Sequence, residues 1–294
     1  MNAAFKHFMQ EIIDYAGLFP PARLDLETAL SQYQTYQQNS ENWILSKFVI
    51  PEATLKSISQ PGEMKFSVIL SEPDSNQFLS SLRTLAPNIV SFEIRLPEDC
   101  SAIEHISSFL GRTIRKVEAA GIEKTSIFVE SARVDLCDAD ILGINKFKRH
   151  TCHNIGYKLR CGGTVPGMVP DPDQVLIAIR SCISRDLSMK FTAGLHHPFS
   201  DYSQTLEGLQ YGFINVFTAS LLGFSSQLSD KEIKACLMDQ KMNNFDFDDT
   251  KLSWNGHSIP SDRIKQLRGE KITSFGSCSF EEPLNDLKSL SFLF

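Results

Sequence analysis

TSIFVE (125–130), a helical pattern over Ala132–Phe147, NIGYKLRCGG (154–163), a second helical pattern over Pro172–Ser184 and SMKFTAG (188–194) follow one another without interruption. Three short apolar runs rich in β-branched and aromatic residues are thus separated by two helical periods, which is the pattern of parallel strands joined by helical crossovers. Working outward, Trp43–Ile50, Met64–Leu70 and Asn88–Arg95 read as earlier strands, with helices over Ser75–Leu85 and Ser101–Ala120. Downstream, Phe213–Phe217 and Ile272–Phe275 complete the series, although the apolar run from Gly212 to Gly223 reads equally as a buried helix. Eight strands at this spacing predict an α/β fold, a closed (β/α)8 barrel, which typically takes about 250 residues. A doubly wound open sheet is the alternative, but no G-x-G-x-x-G follows an early strand.

The first forty residues read as two helices around a proline break. Phe5, Phe8, Met9, Ile12 and Ile13 recur at helical spacing, Phe19-Pro20-Pro21 stops that helix, and Asp25 caps a second one running to about Gln38. Residues 1–40 are therefore expected as an N-terminal helical extension packed on a barrel of residues 41–294, the whole forming a single domain. Phe245–Trp254 alternates apolar and polar residues around a polar turn and predicts a β-hairpin inserted late in the barrel.

Composition excludes several classes. The 294 residues are 42% hydrophobic and 22% charged, an ordinary globular balance, and the net charge of −6 argues against a nucleic-acid partner. The longest greasy stretch, Gly212–Phe224, contains Asn215, Thr218 and Ser220 and is too short to span a bilayer. Lys6, Glu11 and Asp14 interrupt any secretory h-region, and seven cysteines without a CxxC pair suit reduced thiols, so a cytoplasmic protein is expected. Homo-oligomerisation through the hairpin and the Phe292-Leu293-Phe294 terminus is compatible with the sequence.

Two strands carry the chemistry. Alternation puts Lys158 and Arg160 on one face of their strand, and Lys190 and Thr192 on one face of the next. An unpaired cation is expensive to bury, so these strands end either against carboxylates or in a cleft that holds an anion or a reacting carbonyl. Polar residues at or near strand ends, the catalytic end of such a barrel, are Lys47, Glu93, Arg95, Glu130, Lys158, Arg160, Lys190, Thr192, His196, His197, Ser274, Ser277 and Ser279. Three readings of the lysines stand side by side. They form a structural ion-pair network with Glu93 and Glu130, one of them is a Schiff-base nucleophile, or they clamp an anionic substrate without covalent chemistry. Glu93 and Glu130 serve as general acid or base, as charge balance for the lysines, or, with His196 or His197, as ligands for a divalent metal. The turns at Gly163 and Gly276 offer backbone N–H groups to an anion such as phosphate. The HTCH run (150–153) precedes a strand and so belongs to the opposite end of the barrel, where a structural role is expected.

K-x-x-x-G-G at Lys158–Gly163, a helix from Pro172, K-x-x-x-G at Lys190–Gly194 and the Phe275-Gly276-Ser277-Cys278-Ser279 loop together resemble deoxyribose-phosphate aldolases. That resemblance implies a Schiff-base lysine on one strand, a tuning lysine on the next and a glycine-serine phosphate loop after the last. Arg160 stands where the family carries a small hydroxyl residue, and no aspartate matches its acidic partner, leaving Glu130 in that place. Over most of the chain, Ala16–Pro21, Lys158–Gly163, Thr192–His197 and Phe275–Phe280 with Glu282-Pro283 resemble a group of bacterial proteins of unassigned function, which implies a family and no reaction.

The expectation is an aldolase-like lyase acting on a small anionic carbonyl compound or sugar phosphate. Lys158, Lys190, Glu130 and Glu93 are its catalytic candidates. Lys47, Arg160, Thr192, His196, His197, Gly163, Gly276, Ser277 and Ser279 are its substrate-binding candidates, and it requires no cofactor. The alternatives are a divalent-metal hydrolase or lyase using Glu93, Glu130 and His196, and a non-catalytic protein that binds an anionic metabolite.

Overall fold

A computed structural model describes residues 2–70, 77–100, 102–133, 135, 137–163, 165 and 167–293. In chain order the elements are α1 (Ala3–Met9), β1 (Ile13–Tyr15), α2 (Leu26–Gln37), β2 (Leu45–Pro51), β3 (Phe66–Ile69), α3 (Leu79–Leu85), β4 (Ile89–Arg95), α4 (Ile103–Ala119), β5 (Ser126–Glu130), α5 (Cys137–Lys148), β6 (Asn154–Arg160), α6 (Pro172–Ser184) and β7 (Ser188–Thr192). They continue with β8 (Asp201–Ser203), β9 (Gly208–Gln210), α7 (Phe213–Phe224), α8 (Asp230–Leu237), β10 (Phe245–Phe247), β11 (Lys251–Trp254), β12 (His257–Pro260), α9 (Ser261–Glu270), β13 (Ile272–Ser277) and α10 (Glu281–Ser289). Strands β1 to β7 and β13 close into one barrel in the order β1-β2-β3-β4-β5-β6-β7-β13, every pair parallel.

The barrel is the expected one, with one strand exchanged. Phe213–Phe217 is not a strand. It begins α7, whose residues 213–223 are all buried. A helix covered on every side needs no polar face, so it lacks the helical period that would have marked it. The eighth place in the barrel is taken by β1. The helical spacing of Phe5, Phe8 and Met9 does run on to Ile12 and Ile13, but α1 ends at Met9 and Glu11 adopts φ +48°, a left-handed turn that a helix cannot contain. The boundary expected at residue 40 therefore runs through the barrel. Asp25 caps α2 as expected, its carboxylate accepting the Thr28 N–H at 2.9 Å. Ser75 and Ser101, the expected starts of α3 and α4, lie outside the described residues.

The late hairpin is present and larger than expected, since β12 joins β10 and β11 in an antiparallel three-stranded sheet. Asn2 Nδ2 donates to Phe247 O at 2.6 Å and the Phe247 ring packs edge-on against Phe5 and Phe8, so this sheet is fastened to α1. Phe292 stacks on Phe5 at 5.3 Å and Leu293 is buried, which packs that part of the tail on its own chain; Phe294 lies outside the described residues. All seven cysteines are free. Among the described residues no helix is long and apolar enough to cross a membrane.

Two glycines explain why β6 and β7 both break where they do. A Cβ on Gly162 would lie 2.6 Å from Gly194 Cα, and one on Gly194 would lie 2.7 Å from Gly162 Cα. The two loops leaving the strands cross backbone against backbone, and Gly194 has φ +75° besides.

Candidate active site

Alternation along each barrel strand turns one residue in two towards the lumen. Where apolar side chains usually fill such a lumen, this one carries a chain of charges of alternating sign. From the amino-terminal end of the barrel upward it runs Lys47, Asp14, Lys190, Glu93, Lys158, Glu130, Arg160. Lys47 Nζ lies 3.2 Å from Asp14 Oδ1, and Lys190 Nζ lies 2.6 Å from Asp14 Oδ2 and bonds Glu93 Oε1. Lys158 Nζ is 2.7 Å from Glu93 Oε2 and 2.8 Å from Glu130 Oε2, and Arg160 Nη2 is 3.0 Å from Glu130 Oε1. Lys158 and Lys190 are direct cross-strand partners. Like charges so placed repel, and Glu93 reconciles them by giving one oxygen to each. Hydroxyls complete the set: Ser274 donates to Asp14 Oδ2 at 2.7 Å, Ser67 to Glu93 Oε1 at 2.7 Å, and Ser91 to Ser67 at 2.9 Å.

Burial favours the neutral form of the three acids and the three lysines, and at all of them but Lys47 the neighbours decide otherwise. Burial would raise Asp14, but Lys190 and Lys47 outweigh it and hold the carboxyl well below the usual carboxylate range. Burial is likewise overcome at Glu93, where Lys158 and Lys190 pull the value down to about 2, and at Glu130, which Lys158 and Arg160 lower. Burial would lower the lysines, yet Glu93 and Glu130 raise Lys158, while Asp14 and Glu93 raise Lys190. Of the three lysines only Lys47 shifts downward, because burial and Lys190 outweigh the acids, Asp14 foremost and Glu93 after it.

These directions fix a pH dependence. A carboxyl lowered on folding adds stability that is complete above its unfolded value, 4.5 for Glu93, and is lost as the pH falls towards 2. Lysines raised on folding add stability that is complete below 10.5 and is lost only as the pH climbs past their higher folded values. The melting temperature should therefore fall steadily below about pH 4.5, and fall less steeply in Glu93→Gln. Calorimetry between pH 3 and 7 checks both; equal slopes in the two proteins would contradict the assignment.

Above the charge chain, at the carboxyl ends of the strands, opens a cavity of about 400 Å³. The expected residues Glu93, Glu130, Lys158, Arg160, Gly163, Lys190, Thr192, His196 and Gly276 all line it. Four others do not. Lys47 reaches instead into a cavity at the amino-terminal end of the barrel. His197 turns away to Asp286 of α10 at 2.7 Å, whereas His196 lines the cavity while bonded to Glu282 at 3.1 Å. Ser277 Oγ donates to Ser279 O at 2.6 Å and accepts the Ser279 N–H, and Ser279 Oγ accepts the Glu282 N–H. The glycine-serine loop is thus occupied with itself, and Glu281 and Glu282 in the first turn of α10 oppose an anion there.

The metal alternative finds no convergence in this cavity, since Glu93 and Glu130 are taken up by lysines and His196 by Glu282. Among the described residues, the three that bring ligand atoms together are Glu118, Cys152 and His153, at the other end of the barrel. Part of the HTCH run does therefore approach an acid. His153 Nδ1 accepts the Thr125 N–H at 3.3 Å, which puts the neutral ring's proton on Nε2, the nitrogen facing Glu118 at 4.0 Å. A ligating Nε2 would need its lone pair free.

Asp14 is the acid of the charge chain that the sequence did not place among the site candidates. The signal for it was slight, an acid between Ile13 and Tyr15 in a segment that reads as helix. It becomes visible only once β1 is counted among the strands.

Hydrogen-bond capacity separates Lys158 from Lys190. An ammonium carries three N–H groups. Lys190 spends all three, on Asp14, Glu93 and, at 3.5 Å, Ser67, and its side chain is 1% exposed. Lys158 spends two, on Glu93 and Glu130, and is 9% exposed beneath the cavity.

No protein-family model and no curated protein matches the chain. Among solved structures, a lysine/ornithine decarboxylase from Vibrio vulnificus complexed with cadaverine is similar over 93% of this chain, with 10% identity and a TM-score of 0.38. The present chain spans 58% of the length of that protein. Likeness at this level carries nothing about reaction or substrate.

Proposed function

We propose that the chain is a barrel enzyme in which Lys158 meets the carbonyl group of a small anionic compound and forms a Schiff base with it, in carbon–carbon lyase chemistry. The observation that carries the reading is the spare N–H of Lys158 under an open cavity, beside two carboxylates able to take and return protons. Arg160, 31% exposed and sharing Glu130 with Lys158, is placed to receive the anionic group. An anion there draws Arg160 away from Glu130 and makes Glu130 a better base.

The step balances within the site. Ammonium and carbonyl give iminium and water: the Nζ–C bond forms, the C–O bond breaks, and both protons of the departing water come from Nζ by way of Glu130. The iminium keeps the positive charge but only one N–H. Glu93 can retain that bond, which leaves Glu130 free to move the substrate proton whose loss makes or breaks a carbon–carbon bond. The resemblance to deoxyribose-phosphate aldolases supports the same division between a reacting and a supporting lysine, and Lys190, with every donor engaged, suits the supporting part.

The raised pKa of Lys158 favours a second reading, in which it stays an ammonium and its third N–H stabilises an enolate oxygen without covalent bonding. Either reading makes the hydrogens beside the carbonyl acidic. Wild-type protein in D2O should exchange those hydrogens in a panel of small oxo acids and aldehydes, followed by NMR. Lys158→Met should abolish the exchange and Glu130→Gln should slow it; exchange undiminished in Lys158→Met overturns the assignment of this lysine.

A further inference from the structure

The cavity is divided by the order of the barrel strands. Every charged residue that lines it belongs to β4, β5, β6 or β7, or to the loop after β7. Among the described residues that line the cavity, those of the adjoining half, from β13, β1, β2, β3 and the loops that follow them, carry no charged side chain. Its surface includes Ala16, Phe19, Pro20, Pro21, Val49 and Ile69. On this half the charged residues Asp14 and Lys47 sit one layer deeper and bond to each other and to Ser274, so the wall above them is hydrocarbon.

A polyhydroxylated chain lying on such a wall would lose its water without gaining hydrogen bonds. A hydrocarbon chain would gain by the same displacement. The glycine-serine loop, where a sugar phosphate would place its phosphate, is closed on itself by the bonds described above. We infer that the substrate is an aliphatic oxo acid. Its carboxylate lies towards Arg160, its carbonyl faces Lys158, and its hydrocarbon chain lies along Phe19, Val49 and Ile69. The inference rests on the proposed function for the position of the carbonyl, but the binding of the acid group and chain does not require it.

Unbranched alkanoates from acetate to hexanoate have a carboxylate and a chain but no ketone or aldehyde, so they test the wall independently of Schiff-base chemistry. Titration calorimetry on the wild-type protein should show Kd tightening by about fourfold per added methylene, with 2-deoxyribose 5-phosphate weaker than hexanoate. Ile69→Thr, which puts a hydroxyl into the wall, and Phe19→Ser, in the loop after β1, should each flatten that dependence. Neither residue belongs to the charged machinery. Kd values that do not change with chain length, absence of alkanoate binding, or tighter binding of the sugar phosphate would overturn the inference. A clear chain-length dependence without any borohydride-trapped adduct would leave the wall intact and remove only the Schiff base.

Discussion

Glu93→Gln is expected to lower the melting temperature by more than any other single substitution in the lumen. Among the described residues, Glu93 is the one acid bonded to both Lys158 and Lys190. The substitution leaves two ammonium groups as neighbours across β6 and β7 with no negative charge between them. Breaking a buried ion pair by removing one partner costs about 3–5 kcal/mol, which for a chain of this size is on the order of 10 °C. The double variant Glu93→Gln/Lys190→Met should melt above Glu93→Gln alone. Removing one charge of each sign keeps the net charge of the chain unchanged and leaves Lys47 paired with Asp14, and Lys158 and Arg160 sharing Glu130. A double-mutant cycle by chemical denaturation should therefore give a coupling of roughly 1–3 kcal/mol; strict additivity would mean that the alternating chain does not act as a unit.

Lys158→Met is expected to reduce turnover of the true substrate roughly a thousandfold or more, the loss found when a group aimed at the reacting carbonyl is removed. Lys190→Met should cost less in chemistry and more in stability, because Lys190 has no donor left for a substrate and its loss takes one cation from each of two fully buried acids, leaving Asp14 with Lys47 and Glu93 with Lys158. Comparing kcat and melting temperature for the two variants separates a reacting lysine from a supporting one. The reverse order, with Lys190→Met the more inactive and the less destabilised, would assign the reacting role to Lys190.

Much of this arrangement was legible in the sequence because buried charge stands out in an apolar strand. Lys158, Lys190, Glu93 and Glu130 each interrupt a β pattern, and the only economical explanation was mutual pairing or a cleft. The structure provides both, pairing below and a cleft above. The glycines after β6 and β7 were legible as breaks, but their reason, two backbones crossing, needs the third dimension. The first strand was not legible. Three residues are too few to show a period of two, and the apolar spacing before them continued the phase of α1 until Glu11 turned it. With β1 went Asp14, the acid that closes the lower end of the charge chain. The choice left open at Phe213, which falls to the helix, has the opposite cause, since a helix buried all round carries no pattern to distinguish it from a buried strand. His197 shows a further limit of spacing arguments: adjacent histidines leaving a strand diverge, one to the cavity and one to α10.

The central claim is that Lys158 forms a covalent imine while Lys190 supports it. Borohydride reduction in the presence of aliphatic oxo acids and aldehydes, read by intact mass and then by peptide mapping, tests it most directly. A substrate-dependent mass increase is expected on Lys158, absent in Lys158→Met and retained in Lys190→Met. An adduct on Lys190, or no adduct with compounds whose hydrogens the protein exchanges in D2O, would contradict it.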